Sequence, residues 1–424
     1  MIESLKIKIE EQVGFKILTQ GDCHLLSKQI KSEIKQVLSY NTIRRFFNLA
    51  DKRKTSRSSL DILSKYIGYK DFSHFNISFP HEHKWSVENK LFFFLEQNDS
   101  KGLLICLAKI KSLTSNYVSI ISNVCREVIY RRNFKLLSNI FELDSLRFSD
   151  FTYNEVVQIG NSLGILLRSH PINKDDTVIL LNNFNFIQCV CLIFVDYSNL
   201  NSYYFKWSQI LSEKKGHMEI FIFSNCIIQL SNYLNKRTVK IPKEFELIPD
   251  NTHPILEGRI LALRLIVEKE SSRRKLLEAF HTRFSKNEVL PLEYFFELSF
   301  TALLINSRVM QEWIVNLSPK SLNLKQSYQH HNIQLYYLVC RFYFLQIKNK
   351  KMERFYSKKT DSNLFRFSYL DIIQIFMTII EFHTDNSNKS NVLANYNVLT
   401  QKISYPIFTE SYMLDYFSKK KLDY

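Results

Sequence analysis

The sequence predicts an all-α protein, in which a small N-terminal bundle is followed by an α-solenoid of antiparallel helix pairs. Its 424 residues include only 8 Gly and 8 Pro, too few turn residues for a many-stranded β protein. Apolar residues recur at helical spacing along nearly the whole chain, and the connections between these segments are short. The length exceeds that of one small core, so at least two structural units are expected.

Positive charge is concentrated near the N-terminus. The formal net charge is +16 and the isoelectric point is near 9.3. Residues 1–80 contain 14 Lys and Arg against 8 Asp and Glu, whereas the rest of the chain contains 43 against 33. Positive potential attracts nucleic acid or an acidic membrane surface. A base composition rich in A and T also favours lysine codons, so the total charge alone leaves both explanations open.

Cysteine usage and hydropathy predict a cytoplasmic protein without a membrane span. The seven cysteines form no CxxC pair and have mostly apolar neighbours, as expected of reduced core residues. The N-terminus has no continuous apolar run, so no secretory signal is expected. The most apolar windows, residues 184–195 and 372–380, are shorter than the roughly 20 residues that cross a bilayer.

Two helices are predicted before residue 35. Ile2 to Leu18 has apolar residues at near-helical spacing, which would cover the helices that follow. Cys23 to Ile34 is the second helix, and the side chain of Asp22 is suited to capping it. Lys28 and Lys31 lie on the polar side of this second helix, where they are predicted phosphate ligands.

The third predicted helix has one apolar and one strongly polar face. Ser39 is predicted to cap it, and the residues that turn inward are Ile43, Phe46 and Phe47. The opposite face carries Asn41, Arg44, Arg45 and Asn48. Asn and Arg are well shaped for bidentate contact with adenine and guanine edges, so this face suits the DNA major groove.

A cationic loop precedes the fourth predicted helix, Leu60 to Ile67. Ser56 or Ser58 would cap this helix and Gly68 would end it. Basic residues beside a helix N-terminus form a natural phosphate clamp. The predicted phosphate ligands of this loop are Lys52, Arg53, Lys54 and Arg57.

Three segments of the chain are predicted. Residues 1–80 form the DNA-binding domain, residues 81–84 the linker, and residues 85–424 the helical-repeat domain. Three prolines between residues 238 and 254 offer a point at which the repeat domain divides.

The N-terminal segment resembles the helix-turn-helix of phage-repressor-type DNA-binding domains. The residues that carry the resemblance are Leu26 and Ser27, Leu38 and Ser39, Thr42 to Arg45, and Leu60 to Gly68. It covers about the first fifth of the chain. It implies that the helix beginning at Ser39 enters the major groove, with Tyr40, Asn41, Arg44 and Arg45 as base or backbone readers. A capped helix with outward arginines on an ordinary solvated surface is the alternative.

The larger segment is similar to a degenerate tetratricopeptide repeat. Leu335 to Phe344 resembles the aromatic helices of that family, and helix pairs recur at very roughly its spacing. The small residues through which those helices pack are missing. The resemblance implies a concave surface for a peptide or protein ligand, or for self-association.

Catalytic and metal-binding patterns are weak. The chain has no glycine-rich phosphate loop, no HExxH and no GxSxG sequence. His81 and His83, like His330 and His331, lack the further ligands that a metal site needs and are expected to be solvated. No catalytic residue, metal or cofactor is predicted. The basic run Lys348 to Lys351 is expected to be solvated, with a second nucleic-acid surface as the alternative.

Together these observations predict a non-enzymatic DNA-binding transcriptional regulator. Its expected partners are DNA, a peptide or protein on the helical array, and a second copy of the chain, since specific sites normally comprise two half-sites. Two alternatives stay open. An interaction scaffold would bind oligonucleotides weakly and without sequence preference. A nucleic-acid-processing enzyme or toxin would lose turnover when a single buried acid or histidine is changed.

Overall fold

Helices dominate every part of the chain that the structure describes. The structure, a computed structural model, describes residues 2–51, 55–170, 172–214, 216–246, 252–284, 292–317, 327–385 and 387–418. All regular elements within these ranges are helical, which confirms the predicted all-α class. None of the helices in these ranges combines the length and the hydropathy that a membrane span requires.

The chain divides into two compact units, Met1–Ile120 and Ile121–Tyr424. The structure therefore differs from the predicted domain boundary. Residues 81–84, the predicted linker, lie inside one helix that runs from Phe72 to Glu96. The helix from Phe72 to Glu96 contains no Gly and one Pro, Pro80. A single Pro removes one backbone hydrogen bond from a helix without always ending it. Residues 238–254 do not divide the second unit, although residues 247–251 lie outside the described residues.

The first unit consists of seven helices within its described residues. They are α1 (Ile2–Val13), α2 (Gln20–Ile34), α3 (Tyr40–Phe46), α4 (Arg57–Tyr66), α5 (Phe72–Glu96), α6 (Ser100–Ala108) and α7 (Ile110–Leu113). Helix α2 packs on α3 and α4, while α4 also contacts α1 and α5. Leu5, Leu26, Ile43, Leu63 and Phe75 bring one buried side chain from each of α1 to α5 into a common core.

Local capping explains where the first helices begin and end. Thr19, and not Asp22 as predicted, caps α2: the Asp22 amide donates to Thr19 Oγ1 at 3.2 Å, and the Thr19 amide donates to Asp22 Oδ2 at 2.7 Å. This reciprocal pair is a capping box. Gly14, with φ of +79°, follows α1 and ends it earlier than the predicted Leu18. The predicted caps Ser39 and Ser56 are confirmed.

Helix α8 (Tyr117–Tyr130) contains the division between the units, and fifteen further α-helices follow it in the described part of the chain. They are α9 (Phe134–Phe141), α10 (Tyr153–Ser169), α11 (Lys174–Asn182), α12 (Phe184–Phe186), α13 (Tyr203–Ser212), α14 (Met218–Leu234), α15 (Pro254–Val267), α16 (Glu270–Phe284), α17 (Leu292–Leu304), α18 (Arg308–Asn316), α19 (Ser327–Gln346), α20 (Lys350–Lys359), α21 (Phe367–Thr384), α22 (Lys389–Ile403) and α23 (Glu410–Asp415).

Packing in the second unit follows two patterns. From α15 to α20, alternate helices contact each other: α15 with α17, α17 with α19, and α16 with α18. The C-terminal part instead returns to the middle of the unit. Helix α21 packs on Tyr197–Asn199, the Ile407 amide donates to the Leu234 carbonyl at 3.2 Å, and Tyr405 bonds to the backbone of Tyr197 and Leu200. In a simple solenoid each repeat contacts only its neighbours, so the second pattern departs from that architecture.

The segment from Thr177 to Val195, whose apolar sequence is typical of a single helix, is interrupted. Helix α11 ends at Asn182, Asn183 caps the short helix α12, and a π-helical turn occupies Ile187–Cys191. This turn packs closely on α10, where a Cβ at Gly160 would lie 2.5 Å from the Cys189 carbonyl oxygen. All seven cysteines are buried and free, which confirms their predicted core role.

A buried polar network joins α15, α17 and the turn at Tyr197. Arg259 Nε donates to Glu297 Oε1 at 3.1 Å, and Arg259 Nη2 donates to the Tyr197 hydroxyl at 2.9 Å. The Tyr197 hydroxyl in turn donates to Glu297 Oε1 at 2.7 Å. Arg259 and Glu297 are only 4% and 2% exposed. Buried ions persist only when they are paired and hydrogen-bonded, as these are.

His331 of α19 is also buried, contrary to the predicted solvated histidine pair. It is 2% exposed and lies among the rings of Phe296, Phe365 and Tyr369. The Arg366 amide donates to His331 Nδ1 at 3.0 Å, so the ring accepts at this nitrogen. Burial, and then the positive charge of Arg366, lower the pKa of His331 well below its usual value. The imidazole is therefore neutral in the folded protein.

Candidate nucleic-acid interface

Helix α3 presents three of the predicted reading residues on one face. Ile43 and Phe46 are buried in the core of the first unit, as predicted. On the opposite side, Asn41 and Arg45 are exposed and Arg44 is half-buried. Arg44 Nη1 donates to Asn41 Oδ1 at 3.3 Å, so the guanidinium and the amide share one surface. Because these groups stand one turn apart, they form a compact hydrogen-bonding face.

Asn48 does not belong to this face, although the sequence placed it there. It follows the end of α3 with φ of +62°, a left-handed conformation that Asn tolerates. The Asn48 amide donates to the Arg45 carbonyl at 3.2 Å, and the Leu49 amide donates to the Arg44 carbonyl at 2.7 Å. These two bonds form a Schellman motif. Asn48 therefore ends the helix.

Two contacts fix α3 against α2. Ser27 Oγ donates to the Leu38 carbonyl at 2.6 Å, which ties the middle of α2 to the residue just before the Ser39 cap. The rings of His24 and Tyr40 stack with their centroids 3.9 Å apart. Tyr40, a predicted reader, thus has a partner within the unit and also joins the two helices.

Helix α2 carries a second polar stripe, which continues at its C-terminal end. His24, Lys28, Lys31 and Lys35 are exposed and follow one another at intervals of four, three and four residues. This spacing keeps all four side chains on one side of a helix. Lys28 and Lys31 were predicted phosphate ligands, whereas His24 and Lys35 were missed. The regular spacing was readable from the sequence.

The cations of α2 and α3 differ from those near α1 in how they are paired. Lys6, Lys8 and Lys16 form ion pairs of 2.6 to 2.8 Å, with Glu3, Glu11 and Glu10 respectively. Among the described residues, no carboxylate forms an ion pair with the five cations of α2 and α3, namely Lys28, Lys31, Lys35, Arg44 and Arg45. The structure thus separates an internally neutralised region from one with uncompensated positive charge.

The predicted phosphate clamp before α4 is described only at Arg57. Its Nε lies 3.5 Å from Asp61 Oδ1, its guanidinium carbon lies 5.2 Å from the centre of the Phe72 ring, and Nη2 bonds to Ser73 Oγ. Arg57 therefore joins α4 to α5. The other predicted ligands of this loop, Lys52, Arg53 and Lys54, lie outside the described residues.

No family model, curated protein or solved structure matches the chain. Within the described residues, no group of three or more His, Cys, Asp or Glu is placed to hold a metal ion.

Proposed function

We propose that the first unit binds duplex DNA through α2 and α3, and that the protein is a non-enzymatic transcriptional regulator. The observation that carries the proposal is the group of five cations on these helices without an ion-pair partner in the described structure. Unpaired positive charge on a polar surface attracts a polyanion. Helix-turn-helix domains place such a surface on DNA.

Helix α3 supplies the base contacts in this proposal. Its seven residues make it about 10 Å long, short enough to lie within the major groove. Arg45 and Arg44 have the fork geometry that pairs with guanine O6 and N7, and Asn41 has the amide that pairs with adenine N6 and N7. The hydrogen bond between Arg44 and Asn41 orders this pair before DNA arrives.

Helix α2 supplies the phosphate contacts. From His24 to Lys35 its polar stripe extends over about 16 Å. That length brings the stripe past several phosphates of one strand, and each lysine that neutralises a phosphate releases a counterion. The Ser27 bond and the His24–Tyr40 stack hold the phosphate-contacting helix and the reading helix in one geometry.

The second unit provides the sensing or oligomerisation part of the proposed regulator. The alternating contacts from α15 to α20 support a degenerate, tetratricopeptide-like helical repeat in this stretch. Its proposed ligand is a peptide or protein. A second copy of the chain is the other proposed partner, because two half-sites on DNA require two DNA-binding units.

The test is selection of bound fragments from random duplex DNA, followed by affinity measurements at several salt concentrations. We expect the full chain to enrich one sequence, and the variant Arg44→Ala, Arg45→Ala to lose that enrichment. Each bidentate arginine–guanine pair contributes about 1–3 kcal/mol of discrimination, so affinity for the selected site should fall at least tenfold. The matched control is Lys101→Ala, Lys109→Ala, which removes two exposed charges from α6 and its C-cap.

The control distinguishes sequence-specific base contacts from general electrostatic attraction to DNA. It should retain the selected sequence and nearly the original affinity. Equal losses in both variants, or binding without any enriched sequence, would instead favour an interaction scaffold that lacks sequence-specific DNA binding.

A further inference from the structure

Helix α20 packs on α19 through one face only. Tyr356 stacks on Phe344 with ring centroids 5.7 Å apart and also contacts Tyr337. Glu353 Oε1 lies 3.3 Å from Arg341 Nε, and both side chains are mostly buried. These contacts fix which side of α20 faces the second unit and leave the other side to solvent.

The solvent face of α20 is uniformly basic. Lys350, Lys351, Arg354 and Lys358 are all exposed, and their helical spacing gathers them within about 100° of the helix circumference. Among the described residues, none of the four has an ion-pair partner. Glu353, the acidic residue of this helix, lies outside this arc and is occupied by Arg341.

Helix stability does not explain this arrangement. Lys350 and Arg354, like Arg354 and Lys358, are like charges four residues apart, which destabilise a helix. Lys350 and Lys351 also lie in the first turn, where the helix dipole disfavours cations. Acidic or neutral side chains at Lys350, Lys351 and Arg354 would stabilise α20, whereas Lys358 lies in the last turn, where the helix dipole favours a cation. The charge is therefore better explained by an external polyanion.

An aromatic ring lies at the edge of the basic face. Phe355 is 46% exposed, although it is one of the large apolar side chains that usually turn inward. The ammonium of Lys359 lies 4.4 Å from the centre of this ring. The cation covers part of the ring and supports its outward position.

We propose that this face, comprising Lys350, Lys351, Arg354, Lys358 and Phe355, binds single-stranded nucleic acid. The four cations contact the phosphates of the strand, and a base stacks on Phe355. Cationic surfaces with an accessible ring bind single strands because every unpaired base offers a π-face. Bases of a duplex are already stacked, so Phe355 favours a single strand over a duplex. The site is separate from the duplex-binding surface proposed for α2 and α3.

The experiment measures binding of the full chain to a labelled oligothymidylate of about 20 nucleotides by fluorescence anisotropy at several salt concentrations. The variant Lys350→Gln, Arg354→Gln, Lys358→Gln should lose at least tenfold in affinity. Its plot of log affinity against log salt should become shallower by about 2, because each cation contributes roughly 0.7 on a single strand. Phe355→Leu, which keeps an apolar side chain but removes the ring, should weaken binding at least fivefold.

The matched control is Lys135→Gln, Lys174→Gln, Lys206→Gln. It removes the same charge from exposed positions on three other helices of the second unit. We expect it to change the affinity less than twofold. Circular dichroism checks that all variants keep their helical content. Binding of the selected duplex should persist in the α20 variants, so that failure here and failure of the duplex proposal are distinguishable.

The inference stands only if both the triple variant of α20 and Phe355→Leu weaken single-strand binding while the control does not. Equal losses in the two triple variants would assign the effect to general charge. An unchanged affinity in Phe355→Leu would leave an anion-binding surface without base stacking. Tighter binding of a duplex than of the single strand through this face would also overturn the inference.

Discussion

Arginine serves two different purposes in the two units. Arg259 of the second unit is 4% exposed and bonds to Glu297 and Tyr197. In the first unit Arg45 is exposed and Arg44 is half-buried, and neither has a carboxylate partner among the described residues. Burial opposes the charge of Arg259, but Glu297 outweighs it, and the pKa of Arg259 is raised well above its usual value. A buried charge stabilises the fold only through its partners, whereas an exposed unpaired charge is available to a ligand.

The largest expected effect is on the buried arginine. Arg259→Met leaves the Glu297 carboxylate buried without its cation, which should lower the free energy of unfolding by about 3–5 kcal/mol. The same substitution at Arg44 or Arg45 should change it by less than about 0.5 kcal/mol. Urea denaturation followed by circular dichroism measures both. Similar changes in the free energy of unfolding at the buried and exposed sites would contradict the proposed difference between these arginines.

A variant that replaces the whole network tests whether the unpaired charge causes this loss. Replacing the whole network by apolar side chains of similar volume, in Arg259→Met, Glu297→Leu, Tyr197→Phe, should recover most of the loss. If the triple variant is as unstable as Arg259→Met, packing around the network and not its unpaired charge sets the cost.

The second prediction concerns a buried group that must stay neutral. His331 has a lowered pKa, so below about pH 6.5 the unfolded chain binds a proton that the folded protein does not. Its contribution is fully present above that pH and is lost as the pH falls. The loss is at most about 1.4 kcal/mol per pH unit down to the folded pKa.

Denaturant titrations between pH 7 and pH 5 test this expectation. His331→Asn keeps an oxygen that accepts from the Arg366 amide but removes the titration, so its stability should vary less with pH than that of the original chain. His217→Asn, at an exposed position, is the control for the loss of one histidine. An unchanged slope in His331→Asn would contradict the assignment.

The smallest expected effect comes from the contact that holds α3 against α2. Ser27→Ala removes the bond to the Leu38 carbonyl and should cost about 1 kcal/mol in the free energy of unfolding. Affinity for the selected DNA should also fall, since the orientation of α3 on α2 is less fixed. Ser32→Ala is the control, because the Ser32 hydroxyl donates to the Gln29 carbonyl within the same helix. Equal affinities in the two variants would remove Ser27 from the proposed site.

Local signals in the sequence predicted much of the candidate site. Ser39 and Ser56 cap their helices as expected, and Ile43 and Phe46 turn inward. Capping and periodicity act over a few residues, so one sequence is enough to recognise them. The prediction that Asp22 caps α2 was wrong. The sequence did contain the correct signal, since Thr19 and Asp22 have the three-residue spacing of a capping box.

Features that depend on distant residues were not predicted. Arg259 and Glu297 are 38 residues apart, and nothing near either residue indicates that they pair. The interruption at Asn183 was hidden because the flanking residues are apolar and continue a helical pattern. It fits the close approach of the π-helical turn to Gly160 of α10, and of Phe194 just after the turn to Gly164. Such packing is set by tertiary contacts that a single sequence does not display.

The return of the C-terminal segment to the middle of the second unit has a consequence for synthesis. Tyr405 bonds to the Tyr197 carbonyl across 208 residues and accepts from the Leu200 amide across 205. While the ribosome is still adding the intervening residues, the backbone around Tyr197 lacks these partners. The core shared by α1 to α5 has all of its residues by Phe75 and can fold early. The second unit completes its core only after Tyr405 has emerged, so its nascent form has a long interval in which it depends on protection from aggregation.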